Sequence, residues 1–488
     1  MNTHTQEINN GSLKEMWRLS FPLMISFLSL FTMIFVDRIF LSFYSTEALN
    51  AAASAGTLSW SLILGWSTLA SLAEVFVAQY NGAKQYTMLG EPVWQMIWFS
   101  GLSIFFFFSM AIWGTSLFYG EPHPTNFQYD YFNCTMFFSP AAVLVAALTA
   151  FFVGQGKTSI MKWLALLGNI VNVILDPILI FGVKGIVPSM GINGACIATG
   201  IGISVQAVVL FYLFLKKSNR ERYGTANWRF KLAPFLQCIK IGAPPAVFVF
   251  IELLGWSIFY WMMTKISTEH ILVSSICQSI LLLFVFFGLG LEKGAAIVAG
   301  NLIGAKKIDK VQNVLFSGCK LIGLFSLVIL LFLIIYPDFL INLFLKNPQA
   351  LEGSVHFESL TVEYLNSIRS SVRMGLVLIA LYMIIEDTRW LINGILTAAG
   401  DTLFLMISGA GCVWLFLLLP TYFFVLKPKA NIQLAFVIWV VYSLIASLLF
   451  YFRFNQGKWK ERALLIKSPS EVLEVEPPAI PMQTELND

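Results

Sequence analysis

A block near the start of this chain recurs near its middle at a constant offset of 222 in the numbering. Pro22 returns as Pro244, Ser45-Thr46-Glu47 as Ser267-Thr268-Glu269, and Gly82-Ala83-Lys84 as Gly304-Ala305-Lys306. Seven identities in one ungapped register from Pro22 to Lys84, set in otherwise drifted apolar sequence, point to a duplicated structural unit.

The unit is built for a bilayer. Hydrophobic residues make up 57% of 488 and charged residues 12%, and runs such as Leu321 to Pro337 carry no charge over about the length a helix needs to cross a membrane. With no water in the lipid core, each backbone amide must be satisfied within its own helix or a closed barrel. Continuous apolar runs without alternation choose helices. The fold class is therefore an all-α polytopic membrane protein. Apolar runs give twelve spans, at about 16–43, 53–78, 93–118, 132–153, 159–182, 191–215, 235–263, 272–298, 314–336, 370–395, 402–426 and 432–453. Six lie on each side of a basic stretch. An even number per copy places both copies in the membrane in one orientation, so the six-helix bundles should be related by a pseudo-twofold along the membrane normal.

This divides the chain into an N-terminus (1–15), an N-lobe (16–215), a basic linker (216–234), a C-lobe (235–453) and a tail (454–488) rich in Glu and Pro that reads as disordered. No small-residue cleavage site precedes the first apolar run, so no removable signal peptide is expected. Loops on the side of the N-terminus carry most of the Lys and Arg, among them Lys84, Lys157, Lys216, Arg220, Lys306 and Lys458. Lys184, Lys265, Lys346, Lys427 and Lys429 fall on the other side. That bias predicts both termini in the cytoplasm, and the lack of a targeting peptide favours a bacterial inner membrane. It also accounts for the net charge of +4 without a nucleic-acid partner, and the linker reads as lying near anionic lipid.

Soluble enzyme chemistry finds no support. The six cysteines never fall at metal-ligand spacing, and the four histidines lie in termini or loops and form no cluster. Gly156-Lys157-Thr158 imitates the end of a phosphate-binding loop, but the first glycine of that motif would fall at Phe151, inside a span. No cofactor is expected, and energy should come from an ion gradient.

Ionisable residues inside spans are where function is sought, since each one at mid-membrane costs roughly 2.5–3.5 kcal/mol on insertion scales. Asp37, Asp176, Glu252 and Glu386 stand out. In GNIVNVILDPILIFG, Asn172 and Asp176 share a helix face, and Pro177 withholds the amide that would bond the Val173 carbonyl. Such a turn can hold a proton or a small hard cation, or it can be a kink whose polar groups bond a neighbouring helix. Asp37 has Arg38 beside it, and Arg389 stands one turn after Glu386, so ion pairs compete with ion sites at both positions. At offset 222, Glu252 corresponds to Leu30 and Asp37 to Phe259. Carboxylates placed differently in two equivalent scaffolds favour function over packing. Gly288, Gly290, Gly294, Gly300 and Gly304 predict one small-residue face on a helix, and Pro22, Pro140, Pro177, Pro244 and Pro245 predict interrupted spans.

Two six-helix halves, the segment VDRIFLSFYSTEALNAAASAG, the helix ends AQYNGAK and GNLIGAK, the stretch NVILDPILIFG followed by GINGACIATG, and Pro244 with Glu252 together resemble the multidrug and toxic compound extrusion (MATE) transporters. The resemblance covers about residues 15–455. It implies two lobes forming a V around a central cavity, monomeric and embedded in lipid, exporting small organic cationic or amphipathic compounds by alternating access in exchange for H⁺ or Na⁺. It further implies an N-lobe cation site at Asp37, Asn172, Asp176 and Thr199 and a C-lobe site at Glu252 and Glu386, with no other metal. Met33 stands where some members carry Tyr, Glu386 where Asp is usual, and Arg389 where an uncharged polar residue is usual. The segment 337–363 looks like an insertion, because Gly156-Lys157-Thr158 and Gly400-Asp401-Thr402 correspond at an offset of 244. The alternative function is a flippase for a lipid-linked sugar or peptidoglycan precursor, which would need cavity-lining bases. Lys293, Arg369, Arg373 and Arg389 are the candidates for that.

Overall fold

The computed structural model describes residues 10–123, 126–345 and 362–461. Twelve helices are long and apolar enough to span a membrane: α1 (Leu13–Tyr44), α2 (Glu47–Gly82), α3 (Tyr86–Tyr119), α4 (Phe127–Gly154), α5 (Ser159–Ile180), α6 (Ile192–Phe214), α7 (Leu232–Ile266), α8 (Val285–Gly304), α9 (Ile308–Ile335), α10 (Asn366–Ala398), α11 (Thr402–Leu426) and α12 (Ile432–Gln456). Among the described residues there is no strand, only an isolated bridge between Val183 and Val187.

The repeated motifs are helix punctuation. Ser45 caps α2 by accepting the Ala48 amide at 3.0 Å. Its counterpart Ser267 accepts the His270 amide at 3.3 Å to start the short helix Thr268–Leu282. Both satisfy a first-turn amide that has no partner inside the helix. The Gly-Ala-Lys repeats end α2 and α8, and Lys84 and Lys306 take left-handed φ angles of 61° and 58°. L residues rarely adopt that conformation. Finding it at two positions related by the repeat offset extends the duplication from sequence to backbone.

The chain packs differently at its two ends. At the end where α1 begins and the even-numbered helices finish, one hydrophobic core joins both halves, from Met16 and Leu72 to Leu302 and Phe454. At the far end the core splits. Leu41, Ala48, Ile180 and Ile192 cluster within the first half, and Phe259, Leu272, Leu376 and Trp439 within the second. Two lobes that, among the described residues, share a core only at the near end make a V.

Two glycines permit the near-end closure. A Cβ on Gly82 would collide with the backbone carbonyl of Asn301, and one on Gly304 with that of Gln79. Gln79 and Asn301 are themselves counterparts at the repeat offset. The contacts therefore interchange when the lobes are exchanged, and α2 crosses α8 with backbone against backbone.

Three expectations are corrected. The eighth span does not run through 272–298: Thr268–Leu282 and α8 separate at Leu283 and Phe284. The α8 glycines do not share one face. Gly288 meets Trp390 of α10, Gly290 and Gly294 meet Met24 and Ser20 of α1, and Gly300 and Gly304 meet Ala78 and Gln79 of α2. A helix wedged between three neighbours needs small residues all round. The prolines at 22, 140, 177, 244 and 245 interrupt nothing, since each lies inside a continuous helix. Beside these corrections, the basic stretch after α6 is held to protein along α3. Trp94 and Trp98 donate to the carbonyls of Thr225 and Trp228, each at 2.9 Å, and Lys231 reaches Glu91 at 2.6 Å. Of the presumed insertion, Pro337–Leu345 is helical. Residues 346–361 and the tail beyond 461 lie outside the described residues.

Candidate functional site

Three helices of the first lobe bring the N-lobe candidates together toward the open end of the V. Thr199 of α6 donates its hydroxyl to Asp37 Oδ2 of α1 at 2.9 Å. Asn172 of α5 donates to Thr199 Oγ1 at 3.1 Å and, one turn away, to Asp176 Oδ1 at 3.4 Å. Asn172 and Thr199 thereby link the two carboxyl groups in one hydrogen-bonded chain. Asn172 and Asp176 are fully buried. Asp37 makes no ion pair with Arg38 among the described contacts; its partner is Thr199, 162 positions along the chain.

The acceptors left over define the chemistry. Asp37 Oδ1, Asn172 Oδ1 and Asp176 Oδ2 are buried and have no hydrogen-bond donor. Buried acceptors without a donor are costly and rare in native structures. Two carboxyl oxygens and an amide oxygen, all hard ligands, suit a proton shared between the carboxyls or a small hard cation.

The second lobe is arranged differently. Arg389 Nε donates to Glu386 Oε1 at 2.9 Å and its Nη2 to the same oxygen, while Nη2 also approaches Glu252 Oε1 of α7 at 3.4 Å. Ser443 of α12 donates to the remaining Glu386 oxygen at 2.7 Å. The structure thus gathers Glu252 and Glu386, but around a side-chain cation. Asp387 is buried against Gly288 and Trp390, and its Oδ2 lacks a partner.

Sequence reading passed over a third group. Glu74 of α2 pairs with Lys293 of α8 across the two lobes, and Glu292 accepts from Asn393 of α10 at 2.6 Å. Glu74 and Glu292 are charges inside apolar runs, the same signal that singled out Asp176, and they were there to be found. The other basic candidates also have partners: Arg369 donates to Asn342 at 2.7 Å and Arg373 to Asp338 at 2.5 Å.

Comparison with known proteins agrees with this architecture. A sequence model of the MatE family matches residues 22–178 and 244–423, one segment in each lobe. A probable multidrug resistance protein NorM from Thermotoga maritima is 23% identical over 463 residues, spanning 93% of this chain and 94% of the relative. The multidrug resistance protein MdtK of Photorhabdus laumondii is 22% identical over 355 residues, 69% of this chain and 75% of the relative. Among solved structures, a crystal structure of MATE in the straight conformation superposes with a TM-score of 0.76 at 17% identity, covering 94% of this chain and 99% of the other. An outward-facing multidrug resistance MATE family transporter of the MOP superfamily gives 0.77 at 18% identity, covering 93% and 97%. With the family model matching most of both lobes and the fold shared from end to end, the chain belongs to the MatE family and is a multi-pass membrane transporter, not an enzyme.

Proposed function

We propose that this protein is a cation-coupled antiporter that exports small organic cationic or amphipathic compounds by alternating access, with H⁺ or Na⁺ as the coupling ion bound in the N-lobe. The observation that carries the reading is the set of three buried acceptors at Asp37, Asn172 and Asp176, which a proton or small cation would satisfy. Thr199 positions Asp37 by its hydroxyl donation. Binding the ion would favour one face of the cycle and binding substrate the other, since a ligand shifts an equilibrium only through its differential affinity. The multidrug resistance names of the NorM and MdtK relatives support the substrate class.

Glu252 and Glu386 take a different part. Arg389 pairs with Glu386 and reaches Glu252, so a tethered cation already stands where an exchangeable ion would bind in the C-lobe, and the exchangeable ion belongs to Asp37 and Asp176. The basic loops put the near end and both termini in the cytoplasm. The V then opens outward, and the protein works as a monomer in a bacterial inner membrane.

The test is efflux of a fluorescent cationic dye from intact cells, with Na⁺ and H⁺ gradients collapsed separately, for wild type and Asp176→Asn. Export that stops with one gradient and with the substitution identifies the coupling ion. Absence of export under every gradient, with folded protein in the membrane, would favour a flippase for a lipid-linked precursor. The protein partners already held by Lys293, Arg369, Arg373 and Arg389 argue against a pyrophosphate-receiving cavity.

A further inference from the structure

At the closed end of the V, each lobe terminates a helix of the other. Gln79 Nε2 on α2 donates to the carbonyl of Ala398, the last residue of α10, at 2.7 Å. Asn301 Nδ2 on α8 donates to the carbonyl of Gly154, the last residue of α4, at 3.0 Å. The donors differ in number by 222 and the acceptors by 244, the same two offsets that relate the halves of the sequence. The two bonds are therefore one bond made twice, with the lobes exchanged.

Several features make these bonds selective for the closed end. The last carbonyls of a helix have no partner within it, so a side chain from the other lobe fills a real vacancy. Gln79 and Asn301 are 1% and 2% exposed, beyond easy compensation by water. Asn301 is held in place by its second bond to the Ile297 carbonyl at 2.8 Å and by Asn81, which donates to its Oδ1 at 2.6 Å from the opposite lobe. The backbone crossing at Gly82 and Gly304 lies beside both donors, and the Glu74–Lys293 pair bridges the lobes on the same two helices.

We infer that Gln79 and Asn301 form a pair of interchanged latches that hold the lobes together at the near end, and that this end opens only when both release. The inference extends the alternating-access reading, because a lobe movement that opens the near end must separate α2 from α8. Breaking either bond leaves a buried amide and a helix-end carbonyl unpaired until water enters, so the two latches release together.

Spin labels on Thr87→Cys and Asp309→Cys test this. The two positions are exposed, correspond at the repeat offset, and lie just past the crossing on opposite lobes. Cys319, the exposed native thiol, is replaced by Ser. Distances are measured on the full-length protein in lipid nanodiscs. The parent should give one dominant distance. Gln79→Leu should increase the share of longer distances about three- to ten-fold, the shift that losing one ordinary hydrogen bond produces, and Asn301→Leu, which also removes the acceptor of Asn81, by at least as much. Asn81→Ala, which removes one inter-lobe bond and leaves both donors to the helix-end carbonyls in place, should shift the distribution the same way by no more than Asn301→Leu, and carries the test if either Leu variant misfolds. An unchanged distribution in the variants that fold overturns the latch. The readout needs no substrate, so a failure of dye export would count against the efflux reading alone.

Discussion

Arg389 binds Glu386 one turn before it on α10, with Nε 2.9 Å from Oε1, and the same guanidinium reaches Glu252 on α7. All but a few per cent of the Arg389 and Glu386 side chains is buried. A charge of this kind is kept only because its partner is present. Arg389→Leu leaves Glu386 without its cation and should destabilise the protein by about 3–5 kcal/mol. The double variant Arg389→Leu/Glu386→Leu should recover much of that loss, because removing both charges avoids the uncompensated one. Thermal unfolding of both variants in detergent checks the difference.

In the N-lobe, Thr199 is the donor that fixes Asp37. Thr199→Val keeps the shape and removes the hydroxyl, and should slow dye export about ten-fold, the scale of one hydrogen bond to a charged group. Thr199→Ser should retain most of the rate. Export rates at matched expression distinguish the two, and equal rates for Val and Ser would remove Thr199 from the site.

Close approach at the near end predicts a steric effect. A methyl group at Gly82 or Gly304 meets a backbone carbonyl, which cannot rotate away as a side chain can. Gly82→Ala and Gly304→Ala should each cost about 1–3 kcal/mol, as overpacking does elsewhere, and the two should behave alike because their surroundings interchange. Gly101 has open space where its Cβ would stand, so Gly101→Ala serves as the control, with little change in melting temperature.

Lys157 gives a pH dependence outside the spans. Burial, with repulsion from Arg222 adding to it, pushes its ammonium down from 10.5 to about 8. Nζ donates to Gln155 Oε1 at 2.8 Å and lies 4.9 Å from the Tyr223 ring. Between pH 8 and 10.5 the unfolded chain binds more protons at this site than the folded one, so its contribution to stability rises with pH across that window. Below it the destabilisation is complete. Lys157→Met should therefore melt higher than wild type at pH 7, with the gap closing as pH rises toward 10.5. A gap that stays constant would show that Lys157 does not carry the effect.

What could be read from the sequence follows from what is local. Apolar runs gave the number of spans, and their places except for the eighth, because bilayer thickness sets a minimum length for each. The Glu386–Arg389 pairing was open to reading from a spacing of three on a helix. The closeness of Asp37 to Thr199, by contrast, is set by how α1 packs against α5 and α6, and only the family resemblance anticipated it. The break at Leu283 carries no proline and no charge to announce it. The Glu74–Lys293 pair was missed because each member looked like a lone charge, and only the crossing of α2 and α8 makes them neighbours. Nothing local marked Trp94 and Trp98, whose indole N–H groups find their acceptors in linker carbonyls at least 130 positions away.

The difference between the lobes bears on electrical behaviour. On the proposed reading, the second lobe carries its counter-ion as Arg389, tethered to the backbone and unable to leave. The Asp37–Asp176 pair is then the site that trades a positive charge with the solution. One monovalent organic cation leaving against one proton or sodium ion moves no net charge. Such a cycle is electroneutral: a concentration gradient drives it, and the membrane voltage does not.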